Sequence, residues 1–406
     1  MSDKAPRKAP ASGPLLWTTL TRAPEWGLLA GIAVVLAAIY FLEPSHDFFS
    51  TYSLKTLLHN GALFGVLAIG AAVVIIAGGI DLSVGAVVAL SAVVCTRLIT
   101  AWLPALSTLE GPVTVLSGAA ELPALVVQGL ALVLPGAVAL GVGWSLGQKR
   151  LGMVSALVIV VLTLVGLAAG SQVAPKQPAP IALIAAAIGL SLMLGLEVGL
   201  LHAFMITRFQ LPAFIATLAT MAGLRSLALV LSENRSINVA DDAFRAWGSD
   251  NRFTVPLFAF AALAMSVMMG ATVLGRHLFA LGGNEAAARL SGLPVRRLKA
   301  VAYGLSGMLA ALGGVLFAGN SGQAQGTMGV SYELYAITAA VVGGCSLAGG
   351  VGSIRGTVLG LVLIQIVIKG TGLVIRRIDS TQIEGLVLGT VVVLAVAFNQ
   401  RFRARS

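Results

Sequence analysis

Long apolar runs follow one another along the chain, separated by short breaks rich in glycine, proline or charged residues. A helix needs about 20 consecutive apolar residues to cross the hydrocarbon core of a bilayer. The pattern therefore predicts an all-α fold, a polytopic transmembrane helix bundle of about twelve spans forming one domain over residues 26–400. The expected spans are 26–42, 61–79, 82–103, 124–146, 151–170, 181–206, 211–231, 254–274, 300–318, 334–349, 352–375 and 384–400. The first and tenth runs are short, and the tenth is the least suited to a full crossing.

Lysine and arginine collect in alternate breaks, and such residues mark the cytoplasmic side of a membrane protein. The loop 275–299 and the tail 401–406 are both basic, and the N-terminal residues 1–25 also carry an excess of basic side chains. We therefore expect both termini to be cytoplasmic tails and 275–299 to be a cytoplasmic loop. The polar N-terminal residues precede an apolar run with no small-residue cleavage site, which predicts a retained first span.

Composition excludes a water-soluble fold. Hydrophobic residues make up 57% of the chain and charged residues 10%, whereas soluble domains carry roughly a quarter charged residues. The net charge of +10 fits basic loops held on the cytoplasmic side. It gives no reason to expect a nucleic-acid partner.

The first group of polar residues and glycines separates two apolar runs that have no polar loop between them. Paired glycines suit the end of one helix, because glycine tolerates the left-handed backbone found there. An aspartate just after them can accept hydrogen bonds from the first free N–H groups of the next helix. The segment is either a broken helix that lines a translocation path or a tight cap between two spans. Its candidate residues are Gly78, Gly79, Asp81, Ser83 and Gly85.

The second group lies in the basic loop 275–299. Asn284 is a good N-cap, and Glu285 suits the positive first turn of a helix. Gly292 and Pro294 stop the helix, so the sequence predicts about two helical turns in water. An isolated helix this short is marginal, and it must pack either on this chain or on a partner protein. Its candidate residues are Asn284, Glu285, Ala286, Ala287, Ala288, Arg289 and Gly292.

Two further groups of polar residues are candidates for function. Glu197 and Arg225 lie inside consecutive apolar runs, where ionisable residues are costly. They suggest a buried ion pair, with a substrate contact as the alternative. On the external side, Asn320, Gln323, Gln325 and Glu333 have side chains suited to hydroxyl groups or to a docking protein. Ordinary loop composition explains these residues equally well.

The sequence contains no recognisable catalytic, nucleotide-binding or metal-binding motif. Cys95 and Cys345 have no CxxC partner, and the four histidines lack metal-ligand spacing. There is no phosphate-binding G-x-x-x-x-G-K-[ST] loop and no hydrolase or metalloprotease signature. We therefore expect a transport subunit with no metal or cofactor of its own. A stand-alone ion-coupled transporter is the alternative class, although it needs several coupling-ion ligands near the midplane.

Three ordered motifs closely resemble the permease subunits of ABC importers for monosaccharides. The motifs are GGIDLSVG (78–85), LGGNEAAARLSGLPVRRLK (281–299) and VVGGCSLAGGVGSIRGTVLG (341–360), with weaker agreement over 211–231. These importers, of the ribose, xylose and galactose type, share a superfamily with the branched-chain amino-acid permeases. The resemblance implies a small sugar as substrate, and nucleosides or branched-chain amino acids are alternatives.

The resemblance also implies partners and an assembly in the cell inner membrane. Two copies of the chain would form a homodimer, a separate cytoplasmic ATPase would use ATP and Mg, and an extracytoplasmic binding protein would deliver the sugar. The short helix over 284–292 resembles the coupling element of ABC permeases, with Glu285, Ala286, Ala287 and Gly292 matching. Family members have about ten spans, so 124–170 is expected to be a two-span insertion.

Overall fold

The computed structural model describes residues 25–102, 112–113, 122–123, 149–170, 180–239, 241–375, 384–390 and 393. Its helices are α1 (Glu25–Leu42), α2 (Thr51–Ile76), α3 (Val84–Arg97), α4 (Lys149–Gly170), α5 (Ile181–Arg208), α6 (Ala213–Leu231), α7 (Asp242–Ser249), α8 (Asn251–Ala271), α9 (Val273–Gly283), α10 (Glu285–Leu290), α11 (Val295–Ser321), α12 (Tyr332–Val342) and α13 (Ile354–Val374). Two short antiparallel pairs join β1 (Pro112–Val113) to β2 (Leu122–Pro123) and β3 (Ile237–Asn238) to β4 (Gln323–Ala324).

Eight of the described helices are long and apolar enough to cross a bilayer. They are α1, α2, α3 with its extension to Ala101, α5, α6, α8, α11 and α13. The predicted polytopic helical membrane bundle is thus confirmed. Helix α4 falls on the expected span 151–170, and α12 has 11 residues, so the tenth run is as short as expected.

Parts of the prediction fall outside the described residues. The run 124–146 lies outside them, and 384–400 is described only over 384–390 and at 393. The tails 1–25 and 401–406 also lie outside, apart from Glu25. The total of about twelve spans and the side of each terminus stay predictions.

Helix α11 lies at the centre of the described bundle, where it packs on α5, α3 and α2. Glycines let the backbones approach closely. A Cβ atom at Gly195 of α5 would lie 2.2 Å from the carbonyl oxygen of Gly307, and one at Gly199 would lie 2.1 Å from that of Tyr303. Small residues four apart are typical of membrane helices whose backbones touch. A larger side chain at either position of α5 would force α5 and α11 apart.

Helix α4, the described part of the expected insertion, packs on α5. Ala156 and Ile159 are buried against Leu190 and Met193 of α5. The opposite side carries exposed apolar side chains: Met153, Val154, Leu157, Val161 and Leu164. One face of α4 therefore covers α5 while the other is suited to lipid, and the two-span insertion over 124–170 stays a prediction.

Gly199→Val should destabilise the bundle because its side chain meets backbone atoms of α11. Overpacking of this kind typically costs about 1–3 kcal/mol, and the apparent Tm in detergent should fall accordingly. Gly31→Val in α1 is the matched control, since a Cβ there meets no atom within 4 Å. Equal losses of Tm in the two variants would contradict the close crossing.

Candidate functional site

Helix α10 is the short helix that the sequence predicts. The side chain of its N-cap, Asn284, accepts a hydrogen bond of 2.9 Å from the N–H of Ala287. Gly292 follows the helix with a φ of 78°, which satisfies the need for a left-handed residue after the last turn. The helix covers six residues, Glu285–Leu290. The segment between α9 and α11 is therefore a short helix with a cap at its N-terminus and a glycine stop at its C-terminus.

Ion pairs fasten α10 to the start of α11. The carboxylate of Glu285 accepts from Lys299 of α11 at 2.8 Å and from Arg289 at 3.1 Å. Partial burial raises the pKa of Glu285, but the hydrogen bonds and charges of Lys299 and Arg289 outweigh it, so the pKa lies below its usual value. The pairing thus contributes fully above the unfolded-state pKa and is lost as the pH falls through the lower folded-state value.

The two faces of α10 have different surroundings. Ala288 is buried against the rest of the chain, whereas Ala286 and Ala287 are exposed. Leu290 is 90% exposed. The chain itself therefore covers one side of α10 and leaves Leu290 and two alanines exposed on the other.

Residues 77–83, which we call the first connector, join α2 to α3. Both flanking helices are long enough to span the bilayer, which favours a tight connection between two spans, and the broken helix that lines a translocation path stays a prediction. Gly78 has a φ of 80° at the end of α2. The carboxylate of Asp81 accepts from the N–H and the hydroxyl of Ser83 at 3.0 and 2.7 Å. Asp81 thus binds Ser83, which is itself the N-cap of α3 and makes no capping hydrogen bond with its own side chain.

The second carboxylate oxygen of Asp81 binds a residue that sequence reasoning missed. Ser306 of α11 donates to it at 2.9 Å, and both residues are buried. Nearby, the hydroxyl of Thr217 in α6 donates to the carbonyl of Ile80 at 3.3 Å. Because α11 and α6 are distant from the first connector in sequence, no local spacing could have revealed these contacts.

His202, also missed, is fully buried on α5. Its Nε2 lies 2.6 Å from the hydroxyl of Thr220 on α6, which ties these consecutive spans together. Like Glu197 and Arg225, it is an ionisable residue inside an apolar run, and this was the signal available in the sequence. Its observed contact is structural.

Arg225 binds the backbone of a loop, and its expected ion pair with Glu197 stays a prediction. Its guanidinium donates to the backbone carbonyls of Gly326, Met328 and Gly329. The five N–H donors of a guanidinium allow one arginine to bind several carbonyls of the same loop. Arg225 therefore holds the loop that leads into α12.

Glu333 and Gly85 meet at the start of α12. A Cβ atom at Gly85 would lie 2.1 Å from the carbonyl oxygen of Gly329 and 2.3 Å from Oε2 of Glu333. The last glycine of the first group of polar residues and glycines is thus required by packing of α3 against this loop. Glu333 takes part in that packing, and its role as a contact for substrate or binding protein stays a prediction.

The other external candidates separate into two groups. Nε2 of His59 lies 3.0 Å from Oδ1 of Asn320. Nδ1 of the same ring lies 2.7 Å from Oδ1 of Asn251. His59 thereby joins the ends of α2, α8 and α11. Gln323 and Gln325 instead line a cavity of about 310 Å³, together with Ser321, Thr327 and Tyr332. This cavity lies at the end of α11 opposite to α10.

Comparison with known proteins places the chain in a family. A profile described as branched-chain amino acid transport system / permease component matches residues 132–396. The chain belongs to this permease family. The ribose import permease protein RbsC of Escherichia coli (strain K12) is 29% identical to the permease over 381 residues, which cover 92% of each chain.

Other relatives cover the permease to different extents. RbsC of Bacillus subtilis (strain 168) is 29% identical with the same coverage. The L-arabinose transport system permease protein AraH of Escherichia coli (strain K12) is 35% identical over 197 residues, which is 47% of this permease and 60% of AraH. No solved structure matches the chain. The permease is a multi-pass protein of the cell inner membrane.

Asp81→Asn should weaken the permease, because an amide cannot accept all the hydrogen bonds that Ser83 and Ser306 donate. A buried donor left without its acceptor costs about 1–3 kcal/mol, and we expect a lower apparent Tm in detergent. Asp250→Asn is the control: Asp250 caps α8 through Arg252 N–H, and asparagine caps equally well. A Tm of Asp81→Asn equal to that of the control would refute the buried network.

Proposed function

We propose that the permease is the membrane subunit of an ATP-driven importer that moves a small sugar delivered by an extracytoplasmic binding protein. Two copies of the chain form the translocating core as a homodimer. A separate cytoplasmic subunit binds and hydrolyses ATP with Mg, and the permease itself catalyses no reaction. Family membership and the names of the ribose and arabinose relatives support the proposal.

The exposed face of α10 is the observation that carries the proposal. A leucine that is 90% exposed lacks the hydrophobic stabilisation that burial against a partner would give it. Docked into a groove of the ATPase, Leu290 and the neighbouring alanines would lose that exposure. The ion pairs of Glu285 would carry motion of α10 into α11, because Lys299 belongs to α11.

The external cavity supports a sugar as the transported solute. Two amide side chains, two hydroxyl side chains and the ring of Tyr332 line it. Sugars need hydrogen bonds for their hydroxyl groups and an apolar surface for their ring faces. We place Gln323 and Gln325 on the entry path of the sugar, while Asn320 and Glu333 hold the surrounding helices.

The stand-alone, ion-coupled alternative has less support. Coupling ions need free oxygen ligands near the midplane, and the carboxylate oxygens of Asp81 are already engaged by Ser83 and Ser306. Among the described residues, no group of three or more His, Cys, Asp or Glu side chains could hold a metal ion. Uptake that continues without ATP and stops when the ion gradient is dissipated would favour that alternative.

Leu290→Asn should release the ATPase, because burying a leucine side chain contributes about 1.5–3 kcal/mol. Affinity for the ATPase should fall by about tenfold or more, measured by titrating purified ATPase onto the permease in nanodiscs. Leu54→Asn in α2 is the control, since Leu54 is also exposed but lies at the opposite end of the bundle. Undiminished affinity of Leu290→Asn would remove the main support for the proposal.

Gln325→Ala should impair sugar entry without preventing binding-protein docking. Loss of one hydrogen bond, about 0.5–1.5 kcal/mol, predicts a few-fold higher sugar concentration for half-maximal uptake into proteoliposomes. Asn238→Ala, on the strand that pairs with β4, removes an amide outside the cavity and should leave uptake unchanged. Equal effects of the two substitutions would contradict a role for the cavity.

A further inference from the structure

Three backbone segments meet at the base of α10. The first connector is one of them, and residues 343–353 between α12 and α13, the second connector, are another. The N–H of Gly350 in the second connector donates to the carbonyl of Ile76 at the end of α2. Gly282, near the end of α9, lies between the two connectors. We call Gly78, Gly282, Gly349 and Gly350 the glycine junction.

Contacts in the glycine junction are between backbones and leave no space for a side chain. A Cβ atom at Gly282 would lie 1.9 Å from the carbonyl oxygen of Ile76 and 2.7 Å from the nitrogen of Gly350. One at Gly349 would lie 2.5 Å from the carbonyl oxygen of Gly282 and 2.7 Å from Cα of Gly78. Rigid backbone contacts of this kind transmit displacement with little slack, since packed interiors have low compressibility.

Each member of the junction leads directly into a functional element. Gly282 stands two residues before the N-cap of α10. The first connector contains Asp81 and starts α3, and the second connector starts α13. Both connectors are therefore in contact with the segment that must move when α10 moves.

We infer that Gly282 is a positioning residue for coupling, through which displacement of α10 reaches both connectors and hence α2–α3 and α12–α13 together. The inference rests on the proposed function, since α10 must engage an ATPase. It adds a physical route from α10 into two helix pairs that are far apart in sequence. The route consists of backbone atoms and needs no charged or aromatic side chain.

Two matched pairs of variants test the route. Gly282→Ala meets the junction, whereas a Cβ at the adjacent Gly283 meets no atom within 4 Å. Gly349 and Gly344 both lie in the second connector with φ of 83° and 93°, so alanine strains both backbones alike. Only Gly349→Ala contacts the junction, since a Cβ at Gly344 has open space.

The first measurement is hydrogen–deuterium exchange of the full permease in nanodiscs, which needs no ATPase. Gly282→Ala should speed exchange of both connectors by about tenfold, because the overpacked junction opens more often. Gly349→Ala should speed exchange of the first connector, 77–83, by a similar factor, while Gly344→Ala and Gly283→Ala leave that segment at the wild-type rate. Equal exchange of 77–83 in Gly349→Ala and Gly344→Ala would overturn the inference.

The second measurement is ATPase stimulation by sugar-loaded binding protein in the reconstituted complex. Gly282→Ala should reduce stimulation by about tenfold, within the usual range of coupling free energies, while the ATPase still co-purifies. Gly283→Ala should keep wild-type stimulation. Wild-type permease that never recruits an ATPase would refute the proposed function, whereas normal stimulation of Gly282→Ala beside a coupled wild type would refute the inference alone.

Discussion

Direct contact between backbones is the constraint on which this structure depends. In a bilayer, helices gain little from burying apolar side chains against one another, so they associate by close packing. Here Gly195 and Gly199 bring α5 onto α11, and a Cβ at Gly314 of α11 would lie 2.4 Å from the carbonyl oxygen of Val88 in α3. Helix α11 is thus held by glycines on two sides.

Within this packing, buried polar side chains fix the positions of individual connecting segments. Asp81 is 3% exposed, yet its oxygens accept from a backbone N–H and two hydroxyls. A buried carboxylate is tolerated when donors surround it. Whereas Asp81 accepts hydrogen bonds, Arg225 donates them, to three carbonyls of the loop before α12. Each charge therefore fixes the position of a segment that has no regular secondary structure of its own.

Local patterns in the sequence predicted local structure well. Hydropathy placed the spanning helices, and Asn284 with Gly292 defined α10, because caps and stops act over a few residues. What the sequence could not predict was contact between distant segments. Ser306 reaches Asp81 across more than two hundred residues, and Arg225 donates to carbonyls of a loop about a hundred residues away. The segment VVGGCSLAGG entered only as a family motif, and the fold shows that two of its glycines face Gly282.

Backbone contacts also determine how sequence change can be compensated. At Gly65 a Cβ would meet the ring of Phe258, and at Gly313 it would meet the side chain of Leu67. A smaller residue at either partner could make room, so second-site suppressors are available there. At Gly282 the opposing atoms belong to the main chain, so no substitution of the opposing residues can remove them. A second substitution therefore cannot compensate for the replacement of Gly282. Restoring the packing requires reversion to glycine or a change in loop length.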